Sequence, residues 1–238
     1  MVHFGAAVGL DHRSAYGMKL TGERWVTRFQ SMSTSNLYRL GLLTAIVFAW
    51  NLSGRLLFAA LGDDHGKPLF NGKDLSGWVV MNDAKFSVTN GVIHLDRSTG
   101  WLRTEKEYTD FVLVAQWRAL ETNYNSGFYI RAGLVGTPYP TNAFQVNLKE
   151  MALGELLKGK TRVVESTTKP FPVGEWVEFR MEARGKILTL DVNGQRAWEY
   201  NGLDTDRGCI GIQAESKLME FRNVRVRELR IEGTDPMR

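Results

Sequence analysis

The sequence is poor in the residues that most often advertise chemistry. It has one cysteine, Cys209, so no disulfide can form within the chain. In the segment Gly208-Cys209-Ile210-Gly211-Ile212 that cysteine reads as a small core residue. Of four histidines, only His65 and His94 lie near or within the region of globular pattern, too few for a multi-histidine metal site. His94, in Val92-Ile93-His94-Leu95, reads as a packed or surface strand residue rather than a catalytic one. There is no GxSxG elbow, no phosphate-cradling glycine loop and no HExxH helix, which excludes the common motif-bearing hydrolases and nucleotide enzymes. A hard cation held by carboxylates stays open.

Also missing are an internal repeat, a low-complexity tract and, after Asp64, any long segment of helical period. The formal net charge of +4 offers little to nucleic acid. Arg13, Lys19, Arg24, Arg28, Arg39 and Arg55 all precede the globular region, which leaves that region near neutral and without an RNP-type, zinc-knuckle or basic-helix pattern. Nucleic acid is therefore not an expected partner.

What is present begins with an apolar run, Leu40 to Trp50, behind Arg39 as a positive flank. Its length suits a secretory signal better than a membrane span, and Ala60-Leu61-Gly62 ahead of Asp63-Asp64-His65-Gly66 supplies small residues where cleavage would occur. We expect residues 32–62 to be a signal peptide or an uncleaved anchor, with 40–61 as the membrane-directed part. Residues 1–31 are expected to be disordered or to precede the true start, since Met32 opens a conventional n-region. The domain would then be exported, and periplasmic, secreted or membrane-anchored. A core helix over Leu40 to Leu61 is the competing reading, weakened by the lack of an amphipathic period.

Residues 63–233 read as one β-sandwich. Phe111, Leu113, Ala115 and Trp117 alternate with Val112, Val114, Gln116 and Arg118, and Val177, Phe179, Met181 and Ala183 alternate with Trp176, Glu178, Arg180 and Glu182. Leu188, Leu190 and Val192 lead into Asn193-Gly194, the positive-φ pair of a tight hairpin. The spacing of Phe221, Val224 and Val226 breaks strict alternation and predicts a bulge at Arg222-Asn223. About a dozen short segments, with turn signals between them, favour one two-sheet domain over two smaller ones.

Three strands carry polar rows where apolar residues would suffice. Tyr129 and Arg131 lie opposite Phe128 and Ile130. Gln145, Asn147 and Lys149 lie opposite Phe144, Val146 and Leu148. Gln213 and Glu215 lie opposite Ile210, Ile212 and Ala214, beside Gly211, whose missing side chain would make room for a ligand or a neighbouring chain. If adjacent, these rows would line a groove suited to a polyhydroxylated ligand, which wants donors and acceptors on every hydroxyl and an aromatic under a ring face. Trp101, after Thr99-Gly100, is placed to reach such a ligand, while Trp78 reads as core. The plainer alternative is a half-exposed sheet whose outer residues are simply solvated.

The residues themselves resemble a family. Leu69-Phe70-Asn71-Gly72-Lys73-Asp74-Leu75-Ser76-Gly77-Trp78 is similar to the opening of the 3-keto-disaccharide hydrolase domain, also described as a 3-keto-glucoside 1,2-lyase and 3-keto-2-hydroxy-glucal hydratase. The similarity continues, in family order, through Gly100-Trp101-Leu102-Arg103-Thr104, Tyr108-Thr109-Asp110-Phe111, Asn125-Ser126-Gly127-Phe128-Tyr129-Ile130-Arg131, Gly174-Glu175-Trp176, Asn193-Gly194 and Phe221-Arg222-Asn223-Val224. The resemblance implies a concanavalin-like jelly roll of two antiparallel sheets and cleavage of glycosides already oxidised at C3. A ketone there acidifies the C2 proton, a base removes it, the C1 substituent leaves by β-elimination, and water adds back.

That chemistry asks for a base, donors to an enolate oxygen and an acid for the leaving group. The resemblance implies Glu215 as base and Arg131, Gln145 or Lys149 as donors. Asn125, Tyr129, Asn147, Lys149, Trp101 and Gln213 would bind the substrate. It implies a carbohydrate substrate and an upstream sugar 3-oxidoreductase to supply the ketone, with a divalent cation as the one cofactor in view. The chain departs from the family's Glu-x-Gln-x-x-Asp pattern by having Ala143 and Leu148 at the acidic positions, and has Ala214-Glu215 where some members have Asp-His. A carbohydrate-binding sandwich without catalysis is thus the alternative, and a structural or adhesive sandwich ranks behind both.

Overall fold

The structure is a computed structural model that describes residues 66–229. The expected signal or anchor at 32–62 and the segment 1–31 lie outside the described residues, as do the ends of the expected 63–233 domain. Among the described residues the architecture is all β, two antiparallel sheets stacked face to face, with one single-turn 3-10 helix at Glu150–Ala152.

Strands are numbered in chain order. The first sheet runs β13 (Gln195–Asn201), β12 (Ile187–Val192), β11 (Val177–Arg184), β6 (Phe111–Ala119), β15 (Met219–Glu228), β4 (Val92–Leu95) and β3 (Phe86–Thr89), with β1 (Lys67–Pro68) also paired to β15. The second runs β10 (Thr161–Val164), β9 (Leu156–Lys158), β8 (Phe144–Asn147), β7 (Gly127–Ala132), β14 (Gly208–Glu215), β5 (Thr99–Tyr108) and β2 (Trp78–Asn82).

Alternation sorts the side chains. Phe111, Leu113, Ala115 and Trp117 of β6 meet Phe128, Ile130, Phe144, Val146, Ile210 and Ile212 of the facing sheet in one continuous core. Trp117 anchors it, edge-on to Phe179 at 5.6 Å between ring centroids and tilted against Tyr124 at 5.7 Å. The hairpin after β12 turns on Asn193 at φ 47° and Gly194 at φ 79°, as the dipeptide predicts. The expected bulge in β15 is present: register shifts between Arg222 and Arg225, and Asn223 adopts φ 51°.

The opening decapeptide is a folding device. Asn71 Oδ1 accepts from the backbone N–H groups of Lys73 (2.7 Å) and Asp74 (3.0 Å), and Asp74 Oδ1 accepts from Asn71 Nδ2 (2.7 Å) and Ser76 N (2.9 Å). These bonds, with Ser76 first, hold the Asp74 carboxyl down at about 2. Trp78 then seats in the core and donates its indole N–H to Leu69 O at 3.1 Å.

Candidate functional site

The outer face of the second sheet carries a groove of about 770 Å³. Its floor is made by alternate residues of three adjacent strands: Tyr129 of β7, Gln145 and Asn147 of β8, and Gln213 and Glu215 of β14. Asn125 and Lys149, just outside β7 and β8, extend the lining. Phe128, Phe144, Val146, Ile210 and Ile212 point the other way, into the core, so alternation alone explains the two faces.

A line of side-chain hydrogen bonds crosses the floor. Gln145 Nε2 donates to Gln213 Oε1 at 2.7 Å, and Gln213 Nε2 donates to Glu215 Oε2 at 3.0 Å. Ser126 Oγ donates to Gln213 O at 2.7 Å and steadies the middle of the line. Gln145 and Gln213 are each 7% exposed, so this is a buried amide relay ending at a partly exposed carboxylate. Asn147, 4% exposed, has no hydrogen-bond partner for its side-chain amide among the described residues and leaves that amide to the groove.

The loop from Gly133 to Asn142, between β7 and β8, folds back as the groove's wall. Asn82 Nδ2 donates to Gly136 O (3.0 Å) and Pro138 O (2.9 Å), and the Tyr139 hydroxyl donates to Ala214 O at 3.1 Å. Tyr139 and Glu215 line the same stretch of groove. Burial, then the neighbouring Glu215, pushes the Tyr139 hydroxyl well above its ordinary range. Burial does the same to Tyr129, with Tyr139 and Glu215 adding to it. Both phenols therefore keep their protons at any physiological pH. The sequence reading missed Tyr139, because a loop residue has no period to mark it.

Three sequence expectations are corrected. Arg131 does not share the groove with Tyr129. It adopts φ 48° and lies where the register of β7 and β14 shifts, so the bulge swings its side chain off the row. At 1% exposure its guanidinium donates to Thr109 O (2.6 Å), Gly185 O (2.7 Å), Thr205 O (2.8 Å) and Asp110 Oδ1 (2.8 Å), which makes it a structural hub. Trp101 is fully buried rather than open to a ligand. It packs with Tyr129, Ala132, Ala143 and Cys209 in a small second cluster, edge-on to Tyr129 at 5.8 Å. The room left by Gly211 is filled by those two rings, for a Cβ there would meet Trp101 and Tyr129 atoms at 3.1 and 3.2 Å.

Lys149, Lys160 and Arg162 add positive charge to the groove's lining, with Arg162 paired to Glu155 at 2.9 Å. His94 lies on the other sheet and contacts Glu220 at 3.0 Å. Among the described residues no three His, Cys, Asp or Glu side chains come together.

The model of the 3-keto-alpha-glucoside-1,2-lyase-like domain matches residues 65–227, the whole sandwich apart from its last residues. The chain belongs to that family. No curated protein matches the chain. Several solved structures are similar in fold to this lyase-like domain. One, from Parabacteroides distasonis ATCC 8503 and described as a "putative glycosyl hydrolase", is 21% identical with a TM-score of 0.57, covering 68% of this chain and 93% of that one. The carbohydrate binding module CBM66 from Bacillus subtilis is 16% identical with a TM-score of 0.57, covering 64% and 96%. A Bacillus subtilis protein of unknown function with a galectin-like fold is 14% identical with a TM-score of 0.56, covering 68% and 94%. At these identities the likeness establishes the sandwich fold, while family membership gives the lyase-like domain a carbohydrate-related role.

Proposed function

We propose that the groove takes a 3-keto-glycoside and cleaves it by β-elimination, followed by hydration of the resulting glycal. The observation that carries this reading is the amide relay from Gln145 through Gln213 to Glu215, which holds one carboxylate, oriented and partly open, among neutral donors. Paired carboxylates, which ordinary glycoside hydrolysis requires across the scissile bond, are not part of this arrangement: Glu155, the groove's other carboxylate, is engaged by Arg162. A single base suits a substrate whose C2 proton is already acidified by the neighbouring ketone.

In this reading Glu215 removes the C2 proton. The Tyr129 hydroxyl and the Asn147 amide, buried groups facing the groove without hydrogen-bond partners among the described residues, donate to the enolate oxygen as charge develops. Gln145 acts through Gln213 as a positioning residue, and Asn125 and Lys149 bind sugar hydroxyls at the edge. Residues 32–62 carry the domain out of the cytoplasm, and a sugar 3-oxidoreductase supplies the ketone.

A second reading has one observation in its favour. Ala143 stands where many members carry Glu and packs in the small cluster beneath the groove, while Leu148, in place of Asp, is buried in the main core. That pattern fits a binding sandwich, a role also borne by the similar fold named as a carbohydrate binding module. Incubation with 3-keto-glucosides and their unoxidised parents separates the two. Turnover of the keto forms alone, falling roughly 10²–10⁴-fold in Glu215→Gln, is expected of the lyase. Saturable binding without turnover would replace it with the binding module.

A further inference from the structure

The elimination leaves one role without a residue: the acid that protonates the departing C1 oxygen. Arg162 on β10 lies four strands along the sheet from Glu215 on β14, with Lys160 beside it, Lys149 is placed above on sugar hydroxyls, and Gln145, Gln213 and Asn147 carry no acidic proton. The Gly133 to Asn142 wall places one hydroxyl beside the base. Tyr139 is half-buried, lines the same groove as Glu215, and donates its hydroxyl to the backbone oxygen of Ala214, the residue before Glu215, at 3.1 Å.

Resting on the lyase reading above, we infer that Tyr139 is the general acid of the elimination, with Glu215 as its base. The C2–H bond breaks and its proton passes to the Glu215 carboxylate. The electron pair forms the C1=C2 bond, the C1–O bond breaks, and the leaving oxygen takes the Tyr139 proton. The Glu215 carboxylic acid then loses its proton and the Tyr139 phenolate regains one, by exchange with water at the groove, so both groups return to their starting state. Desolvation keeps Tyr139 protonated until that step, and the growing negative charge on the leaving oxygen is what draws the proton away.

An acid assisting departure matters most for a poor leaving group. The test compares the full chain and its Tyr139→Phe variant on two 3-keto-glucosides, one with an activated nitrophenyl group and one with a simple alkyl group, while C2–H exchange into deuterated solvent is followed by NMR. Phe keeps the ring that packs against the small buried cluster and gives up only the hydroxyl and its bond to Ala214 O. Expected is a loss of roughly 100-fold or more on the alkyl glycoside, a loss of only a few fold on the nitrophenyl glycoside, and C2 exchange that persists in Tyr139→Phe but stops in Glu215→Gln. Equal losses on both glycosides, or no loss on either, would overturn Tyr139 as the acid while leaving the lyase intact. Absence of both exchange and cleavage in the unaltered protein would instead sink the lyase reading and the assignment of Tyr139 with it.

Discussion

Gln145 occupies the space that a side chain at Gly127 would need. A Cβ built on Gly127 would lie 2.3 Å from Gln145 Nε2 and 2.7 Å from its Cγ, so the glycine is what lets Gln145 lie across β7 and reach Gln213 on β14. The requirement is steric, since the Gly127 φ lies outside the left-handed range. The relay that orients Glu215 thus depends on a missing methyl group on the adjacent strand.

Gly127→Ala is expected to displace Gln145 and release Gln213. Overpacking of this kind costs about 1–3 kcal/mol of stability. Misplacing the base should also lower kcat on a 3-keto-glucoside roughly 10–100-fold with the fold retained. Circular dichroism paired with kinetics checks this, and an unchanged kcat in the folded variant would show that the relay does not position Glu215.

Arg131→Ala should act on stability rather than on the groove. Removing the guanidinium leaves three backbone carbonyls and Asp110 without their donor, a loss of about 3–5 kcal/mol. The denaturant midpoint reads it directly. If Arg131→Ala instead unfolds at the same midpoint and loses only sugar binding, the hub assignment is wrong.

Cys209 predicts an alkaline weakness. Burial first of all pushes its thiol from an ordinary value near 9 up to about 12, against a smaller opposing pull from Arg103. Between those values the unfolded thiol has lost its proton while the folded one keeps it. The unfolded state then binds fewer protons, and stability falls as pH rises from about 9 to about 12. Tyr129 and Tyr139, raised in the same direction, add to the fall above pH 10. Cys209→Ala should flatten the stability slope between pH 9 and 12, and in the unaltered protein a thiol reagent at pH 8 should label Cys209 only after unfolding. Equal slopes in the two proteins, or ready labelling of the native state, would contradict the buried thiol.

Much of this molecule follows from period-two alternation, which is a local property. It placed Phe144 and Val146 in the core and Gln145 and Asn147 outside it, and did the same for Ile210 and Ile212 against Gln213 and Glu215. The Asn193-Gly194 turn and the bulge at Asn223 were legible too, because each is written in two or three consecutive residues. Family membership was legible from the decapeptide at Leu69 to Trp78, whose side chains bond within their own turn.

Sequence by itself therefore determined the strands, their faces and the family. Tertiary structure alone decided the order of the strands, which brings Gln145 within reach of Gln213 despite 68 intervening steps of chain. It also decided the bulge that turns Arg131 away, the burial of Trp101 in the small second cluster, and the wall loop that brings Tyr139 into the groove with Glu215. Alternation fixes the direction of a side chain from its nearest neighbours. Strand order, bulge position and loop path arise from pairings between distant segments, and those leave no period in the sequence.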